Sequence, residues 1–191
     1  MEKKRLALFV SGTGSNAKNI INYFEEKEAF EVVLVMTNKS DSPIIEFALS
    51  KSINLVMCSN EQARNADFLI TMCSAHTVTH VILAGYLKLI PAAFIAKYPN
   101  RIINIHPALL PHYGGKGMYG DHVHRAVLEN NESHAGITIH LVNEQFDEGR
   151  LLAQFFCEIS ENETLETLRQ KIHSLEYSYF PIVIEQTLLA E

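Results

Sequence analysis

The chain has 191 residues, 47% hydrophobic and 20% charged, with a net charge of −6 and three cysteines. These are the proportions of an ordinary soluble globule and predict a single domain spanning 1–191. The negative charge argues against nucleic acid or an anionic membrane as principal partner, although a local basic pocket remains able to bind phosphate. Cys58, Cys73 and Cys157 lack C-x-x-C spacing, which predicts free thiols in a reducing cytoplasm and neither a disulfide framework nor a zinc knuckle. The apolar run after Lys3, Lys4 and Arg5 is too short for a secretory signal or a spanning helix.

Leu6 to Val10 predicts a strand. It ends in Ser11-Gly12-Thr13-Gly14-Ser15-Asn16 and gives way to Ile20, Ile21 and Phe24 at helical spacing. Free amides at such a helix start, with small glycines beside them, suit a phosphate. The spacing Gly12-x-Gly14-x-x-Ala17 also fits the dinucleotide fingerprint. The second strand, Val32 to Met36, closes in Thr37-Asn38-Lys39 without the acidic residue that holds a ribose. A phosphate seat is therefore the stronger functional reading, and a structural glycine turn is its alternative. Ser42-Pro43 opens a predicted helix to about Lys51, Leu55 to Cys58 a third strand, and 61–75 a helix. Val81 to Ala84 reads as a fourth strand closed by Gly85. Leu87, Leu89 and Ile90 follow, suited either to an apolar pocket or to core packing, and Pro91 to Lys97 predicts a short helix.

Ile102, Ile103 and Ile105 have the composition of a strand buried on both faces. Within it, Asn104 and His106 stand two apart and so project from one side. Pro107 ends the strand at His106. An amide that donates to an oxygen gaining charge, beside an imidazole that moves protons near neutrality, suits addition to a carbonyl carbon. The bland alternative is a strand-terminating Asn and a core His. Strands alternating with helices predict an α/β fold, a doubly wound, mostly parallel Rossmann-like sheet with helices on both faces. Ligands bind such sheets beyond the carboxyl ends of the strands, where the glycine turn and the Asn104/His106 pair both belong.

His112 to Gly120 is too glycine-rich for regular structure. A helix is predicted from Asp121 to about Glu129, and a strand from His134 to Val142. That strand places Ile137, Ile139 and Leu141 on one face and Thr138, His140 and Val142 on the other. An acidic turn over 143–149 precedes a last strand, Leu151 to Phe156. Asp147 in that turn is the candidate partner of His106, since a nearby carboxylate raises an imidazole's pKa; otherwise it is a turn residue. Ser160-x-x-Glu163 reads as a capping box, and Leu165, Leu168, Ile172, Leu175 and Tyr179 as one helical face. Glu176 falls on the side of Leu165, as a ligand for an amine or sugar hydroxyl or as half of an ion pair.

Four strings occur in order: Val10-Ser11-Gly12-Thr13-Gly14-Ser15-Asn16, Leu83-Ala84-Gly85-Tyr86-Leu87, Asn104-Ile105-His106-Pro107-Ala108-Leu109-Leu110-Pro111 and Phe146-Asp147-Glu148-Gly149. With them, nearly the whole chain resembles the 10-formyltetrahydrofolate-dependent formyltransferases, on the branch that formylates glycinamide ribonucleotide. The resemblance implies that Asn104, His106 and Asp147 are catalytic, with Asp147 keeping His106 charged. It implies that Gly14, Ser15, Asn16 and Glu176 bind glycinamide ribonucleotide. The folate would lie along Leu87, Lys88, Leu89 and Ile90 and along Asn143, Glu144, Gln145 and Phe146, with Arg64 the candidate for its glutamate tail. Formyl folate is implied as co-substrate, with no metal, in a cytoplasmic monomer or homodimer. Loop 114–120 is longer than in some relatives.

A hydrolase of 10-formyltetrahydrofolate would use the same three groups with water as acceptor; such relatives usually carry an added N-terminal domain. Methionyl-tRNA formyltransferase adds a C-terminal RNA-binding domain for which neither length nor charge leaves room. A metal cluster of His106, His112, Asp121, His122, His124 and His140 has no matching ligand spacing. A non-catalytic nucleotide-binding module leaves Asn104, His106 and Asp147 unexplained.

Overall fold

Short blocks of aliphatic and β-branched residues, most of them followed within three residues by a glycine, asparagine or proline, build a seven-stranded α/β sheet. The computed structural model describes residues 3–191, in two compact units, one ending at Ile103 and the other starting at Asn104.

In the first unit, β1 (Lys4–Val10) leads into α1 (Ser15–Phe24), β2 (Phe30–Thr37), α2 (Ile44–Ser50) and β3 (Asn54–Met57). A 3-10 turn (Gln62–Arg64), α3 (Ala66–Ala75), β4 (His80–Leu83) and α4 (Ala92–Lys97) follow. β1 pairs in parallel with both β2 and β4, and β2 in parallel with β3. The predicted helix over 61–75 is broken because Asn65 is extended and accepts a hydrogen bond from the Phe68 N–H at 2.9 Å, capping α3. The second helix starts later than Ser42. The Ser42 hydroxyl donates to the Gly12 carbonyl at 2.6 Å and so is not a cap.

β5 (Ile102–His106) ends where Pro107 predicts. The second unit continues with α5 (Asp121–Glu129), β6 (His134–Leu141), β7 (Leu151–Glu158) and α6 (Leu165–Leu189). β6 and β7 are antiparallel. The cap of α6 is Thr164, paired reciprocally with Thr167. The predicted Ser160/Glu163 pair forms a turn just ahead of it, where the Ser160 N–H donates to Glu163 Oε2 at 3.1 Å. The buried face of α6 runs through Leu168, Ile172, Glu176, Phe180, Ile184 and Leu188, and Tyr179 is exposed. Strand order is β3-β2-β1-β4-β5-β6-β7, the open, mostly parallel sheet that the sequence predicts. The order reverses between β1 and β4, the position at which such sheets take their ligands.

Candidate active site

In the first unit, the segments leaving β1 and β4 are tied together. The Ser11 N–H donates to the Gly85 carbonyl at 2.9 Å, and the Leu87 N–H donates to Ser11 Oγ at 3.1 Å. Ser11 Oγ in turn donates to Asn38 Oδ1 at 2.7 Å. Gly14 precedes α1 with φ +77°, and a Cβ on it would lie 2.6 Å from Ile44 Cβ, so only glycine suits the position. The ten-residue α1 has no acidic side chain in its first turn, which leaves the positive end of its dipole uncompensated. Gly14 and Asn16 are buried and Ser15 half-buried. Leu87 and Leu89 are exposed, whereas Ile90 belongs to the core. Lys88 is half-buried, and Arg64 is exposed in the 3-10 turn.

In the second unit, His106 is buried at the end of β5, and both ring nitrogens have partners. Nε2–H donates to the Tyr113 carbonyl at 2.8 Å, and Nδ1 lies 3.5 Å from Asp147 Oδ2. Asp147 Oδ2 also accepts from the Gly115 N–H at 3.0 Å. Tyr113 and Asp147, the residues on either side of the ring, both have left-handed backbones, φ +58° and +57°. Such residues cost about 1–3 kcal/mol each and cluster at functional sites. The turn carrying Asp147 is closed from within. Asn143 Nδ2 donates to the Glu148 carbonyl at 3.1 Å, and Asn143 Oδ1 accepts from the Gln145 N–H at 3.0 Å. A Cβ at Gly149 would stand 1.6 Å from the Leu141 carbonyl oxygen, so the turn can fold back on β6 only with glycine there. Glu144, Gln145 and Phe146 are exposed along it.

The electrostatics differ from the expected imidazolium. Burial drives the His106 pKa below its ordinary value of 6.5, outweighing the pull of Asp147 and of the Tyr113 carbonyl toward the charged form. Burial opposes ionisation of Asp147 as well, but His140, His106 and the Gly115 N–H together outweigh it and hold that carboxyl below its ordinary value. The resting pair is therefore a neutral imidazole beside a carboxylate.

Two further residues, placed on a face of β6 by its alternation, complete this region; from sequence alone Thr138 has no role and His140 is weighed only as a metal ligand. Thr138 is wholly buried. Its Oγ1 donates to the Ala108 carbonyl at 2.6 Å and accepts from the Leu110 N–H at 3.0 Å, pinning the segment after His106. His140, also buried, lies with Nε2 3.1 Å from Asn104 Nδ2 and 3.7 Å from Asp147 Oδ1. The signal was a polar i, i+2 pair inside an apolar strand, the same signature as Asn104 and His106. Glu176 is buried on the inner face of α6, its Oε2 3.9 Å from His173 Nε2. Of the other histidines, His112 and His122 are exposed and His124 is buried. Among the described residues no three His, Cys, Asp or Glu side chains converge as a metal set, and no helix is long and apolar enough to cross a membrane.

The family described as formyl transferase matches residues 4–184. A chloroplastic phosphoribosylglycinamide formyltransferase of Arabidopsis thaliana is 41% identical over 188 residues, 95% of this chain and 64% of the plant protein. The chain thus spans less than two thirds of that relative's length. The phosphoribosylglycinamide formyltransferase of Bacillus subtilis is 36% identical, with 97% of this chain and 95% of the bacterial protein aligned. A crystal structure of phosphoribosylglycinamide formyltransferase from Bacillus halodurans superposes with a TM-score of 0.88 at 31% identity, covering 97% of this chain and 95% of that one. With a match across nearly its whole length and a bacterial relative covered almost completely, the chain belongs to the formyl transferase family.

Proposed function

We propose that the chain transfers the formyl group of 10-formyltetrahydrofolate to the amine of N1-(5-phospho-D-ribosyl)glycinamide, giving the N-formyl product and tetrahydrofolate in purine synthesis. The observation that carries this reading is the grouping of Asn104, His106 and Asp147 from two distant segments of the second unit, with Asp147 3.5 Å from the ring. Family membership and the names of the aligned relatives support it.

The substrate amine attacks the formyl carbon, forming a C–N bond and leaving negative charge on the formyl oxygen. The Asn104 NH2 donates to that oxygen; one such donor is worth about 3 kcal/mol. His106, neutral at rest, takes the proton shed by the attacking nitrogen. Its charged form is then favoured by the oxyanion and by Asp147. The same proton passes to N10 of the folate as the C–N10 bond breaks, so one imidazole serves as base and then acid. Nε2 of the resting ring carries the hydrogen it gives to Tyr113, so it can accept the amine proton only once one partner withdraws and the ring hydrogen shifts to Nδ1, facing Asp147. The Tyr113 carbonyl, on the glycine-rich segment, is the partner that leaves.

In this reading Gly14, Ser15 and Asn16 seat the phosphate and Glu176 meets the ribose or the glycine end. The folate contacts Leu87, Lys88 and Leu89 and the turn from Asn143 to Phe146, with Arg64 at its glutamate tail. Ile90 supports these residues from the core. The protein acts in the cytoplasm as a monomer or homodimer, as one formyltransferase domain without metal or nucleic acid.

The test is incubation with 10-formyltetrahydrofolate with and without the ribonucleotide, following tetrahydrofolate. Release that requires the ribonucleotide is the expected result, and equal release without it would make the chain a hydrolase.

A further inference from the structure

His140 takes no part in the steps above, yet it is one of the most deeply buried polar side chains of the second unit, 2% exposed. Its two nitrogens fix its protonation pattern. Nδ1 lies 2.9 Å from the Leu141 carbonyl oxygen, and a carbonyl only accepts, so Nδ1 carries a hydrogen. In the neutral ring Nε2 is then a bare acceptor. The atom 3.1 Å from it is Asn104 Nδ2, an NH2 that only donates. The Asp147 carboxylate, 3.7 Å from the same Nε2, is beyond hydrogen-bond length, and His140 favours its ionised form only when a second proton sits on Nε2 facing it. The pairing that satisfies every donor and acceptor is thus Asn104 N–H to His140 Nε2, with His140 N–H to Leu141.

We infer that His140 is a positioning residue: its bare Nε2 accepts one hydrogen of the Asn104 amide, fixes which edge of that amide is the NH2, and leaves the second hydrogen to donate to the formyl oxygen. A carboxamide is nearly symmetric in shape but opposite in polarity at its two edges. Flipped, it would present oxygen to the developing oxyanion and repel it. Asn104 is the one half-buried residue of β5, the others being buried, so its neighbours on the open side cannot hold the amide as a packed core would. The imidazole does so instead, because β6 brings His140 to it and the Leu141 carbonyl dictates the tautomer. Asn104 acts on substrate in this scheme, and His140 acts through Asn104.

The inference deepens the formyl-transfer reading and rests on it for its kinetic arm. Removing an oxyanion donor costs about 10²–10³ in kcat, and freeing that donor to flip forfeits part of this. His140→Leu is expected to lower kcat by about 10- to 100-fold, with the KM of both substrates within about twofold of wild type. His140→Gln, whose carbonyl oxygen reaches the place of Nε2 and accepts from the NH2, is expected to restore most of the loss. In an Asn104→Ala background, His140→Leu should cost almost nothing further, since neighbours acting as one unit are non-additive. The same penalty persisting there, or a Gln variant no better than Leu, would overturn the assignment and give His140 to Asp147 or to packing. If the Leu variant does not fold, the Gln variant carries the kinetic arm. A second arm needs no activity. Nitrogen-15 NMR of the unliganded protein near neutral pH should show His140 as the Nδ1–H tautomer; an Nε2–H tautomer or an imidazolium would overturn the pairing. Absent transfer in the wild type would refute the formyl-transfer reading and leave this NMR arm standing.

Discussion

In the loop after β1, backbone does the positioning: Gly14 adopts a conformation closed to other residues, α1 begins at once, and side chains such as Ser42 and Ser11 merely pin the path. Around His106 the arrangement is reversed. There β5 is regular, β6 shifts register between Ile139 and His140, and five side-chain or carbonyl groups (Asn104, His106, His140, Asp147 and the Tyr113 carbonyl) fix one another through contacts between segments up to 41 residues apart, as His106 and Asp147 show. A site made of backbone should tolerate loss of its pinning side chains and fail on a change of shape. A site made of mutually dependent side chains should fail on a change of one atom.

The sharpest test of this contrast exchanges one oxygen of Asp147 for nitrogen. Asp147→Asn keeps the size of the side chain but replaces a charge with an amide that can donate. A loss of about 10²-fold or more in kcat is expected if His106 carries the proposed proton transfer, since positioned acid–base catalysis contributes about 10²–10⁴. The pH profile should move as well. Asp147 raises the His106 pKa against the larger, lowering effect of burial. In the proposed mechanism the neutral ring is the base, so activity falls on the acid side as pH drops through the lowered folded value, which lies below 6.5. Without Asp147 that limb should shift to still lower pH. A limb that stays put, or moves up, would show that the carboxylate does not act on His106. Stability has the same sign. A His with a depressed pKa and an Asp with a depressed pKa each contribute stability that is complete above the unfolded value and lost as pH falls through the folded one. Acid unfolding of the Asn variant should therefore lack the Asp147 component below about pH 3.9.

The same contrast explains what could be read from sequence. The glycine turn was legible because its determinants are contiguous: Gly12, Gly14 and the helix that follows state their geometry locally. β5 was legible to the residue, since Pro107 allows no other end. The pairing of Asn104 with His140 was not, because it depends on how β6 lies against β5, which no local pattern encodes. Alternation placed Thr138 and His140 on one face and said nothing about what they meet. The lowered pKa of His106 was hidden for a related reason: proximity of a carboxylate is suggested by motif, whereas the extent of burial that outweighs it is a property of the folded chain. At α6 two cap-like pairs overlap, Ser160/Glu163 and Thr164/Thr167, and spacing alone could not choose between them.

A smaller effect is expected when the shape of the first region is altered. Gly14→Ala must hold φ near +77° and place a methyl 2.6 Å from the buried Ile44 Cβ. The backbone penalty alone is about 1–3 kcal/mol, read as a lower midpoint in urea. If the loop seats the phosphate, the KM for the ribonucleotide should also rise while kcat for bound substrate is largely kept. Lost stability with an unchanged KM would make this a structural glycine turn.

The smallest effect is reserved for a pinning side chain. Ser42 is 6% exposed, and its hydroxyl donates to the Gly12 carbonyl at 2.6 Å, so it looks as important as any bond around His106. Gly12 itself is exposed, however, and water can reach the carbonyl once the hydroxyl is gone. Ser42→Ala should then cost only the net worth of one such bond, about 1 kcal/mol, and shift the ribonucleotide KM by no more than about twofold, 0.4 kcal/mol at RT ln 2. A tenfold rise in KM would break the comparison, because it would mean that the first region too depends on a single side-chain hydrogen bond and that its backbone does not hold the loop unaided.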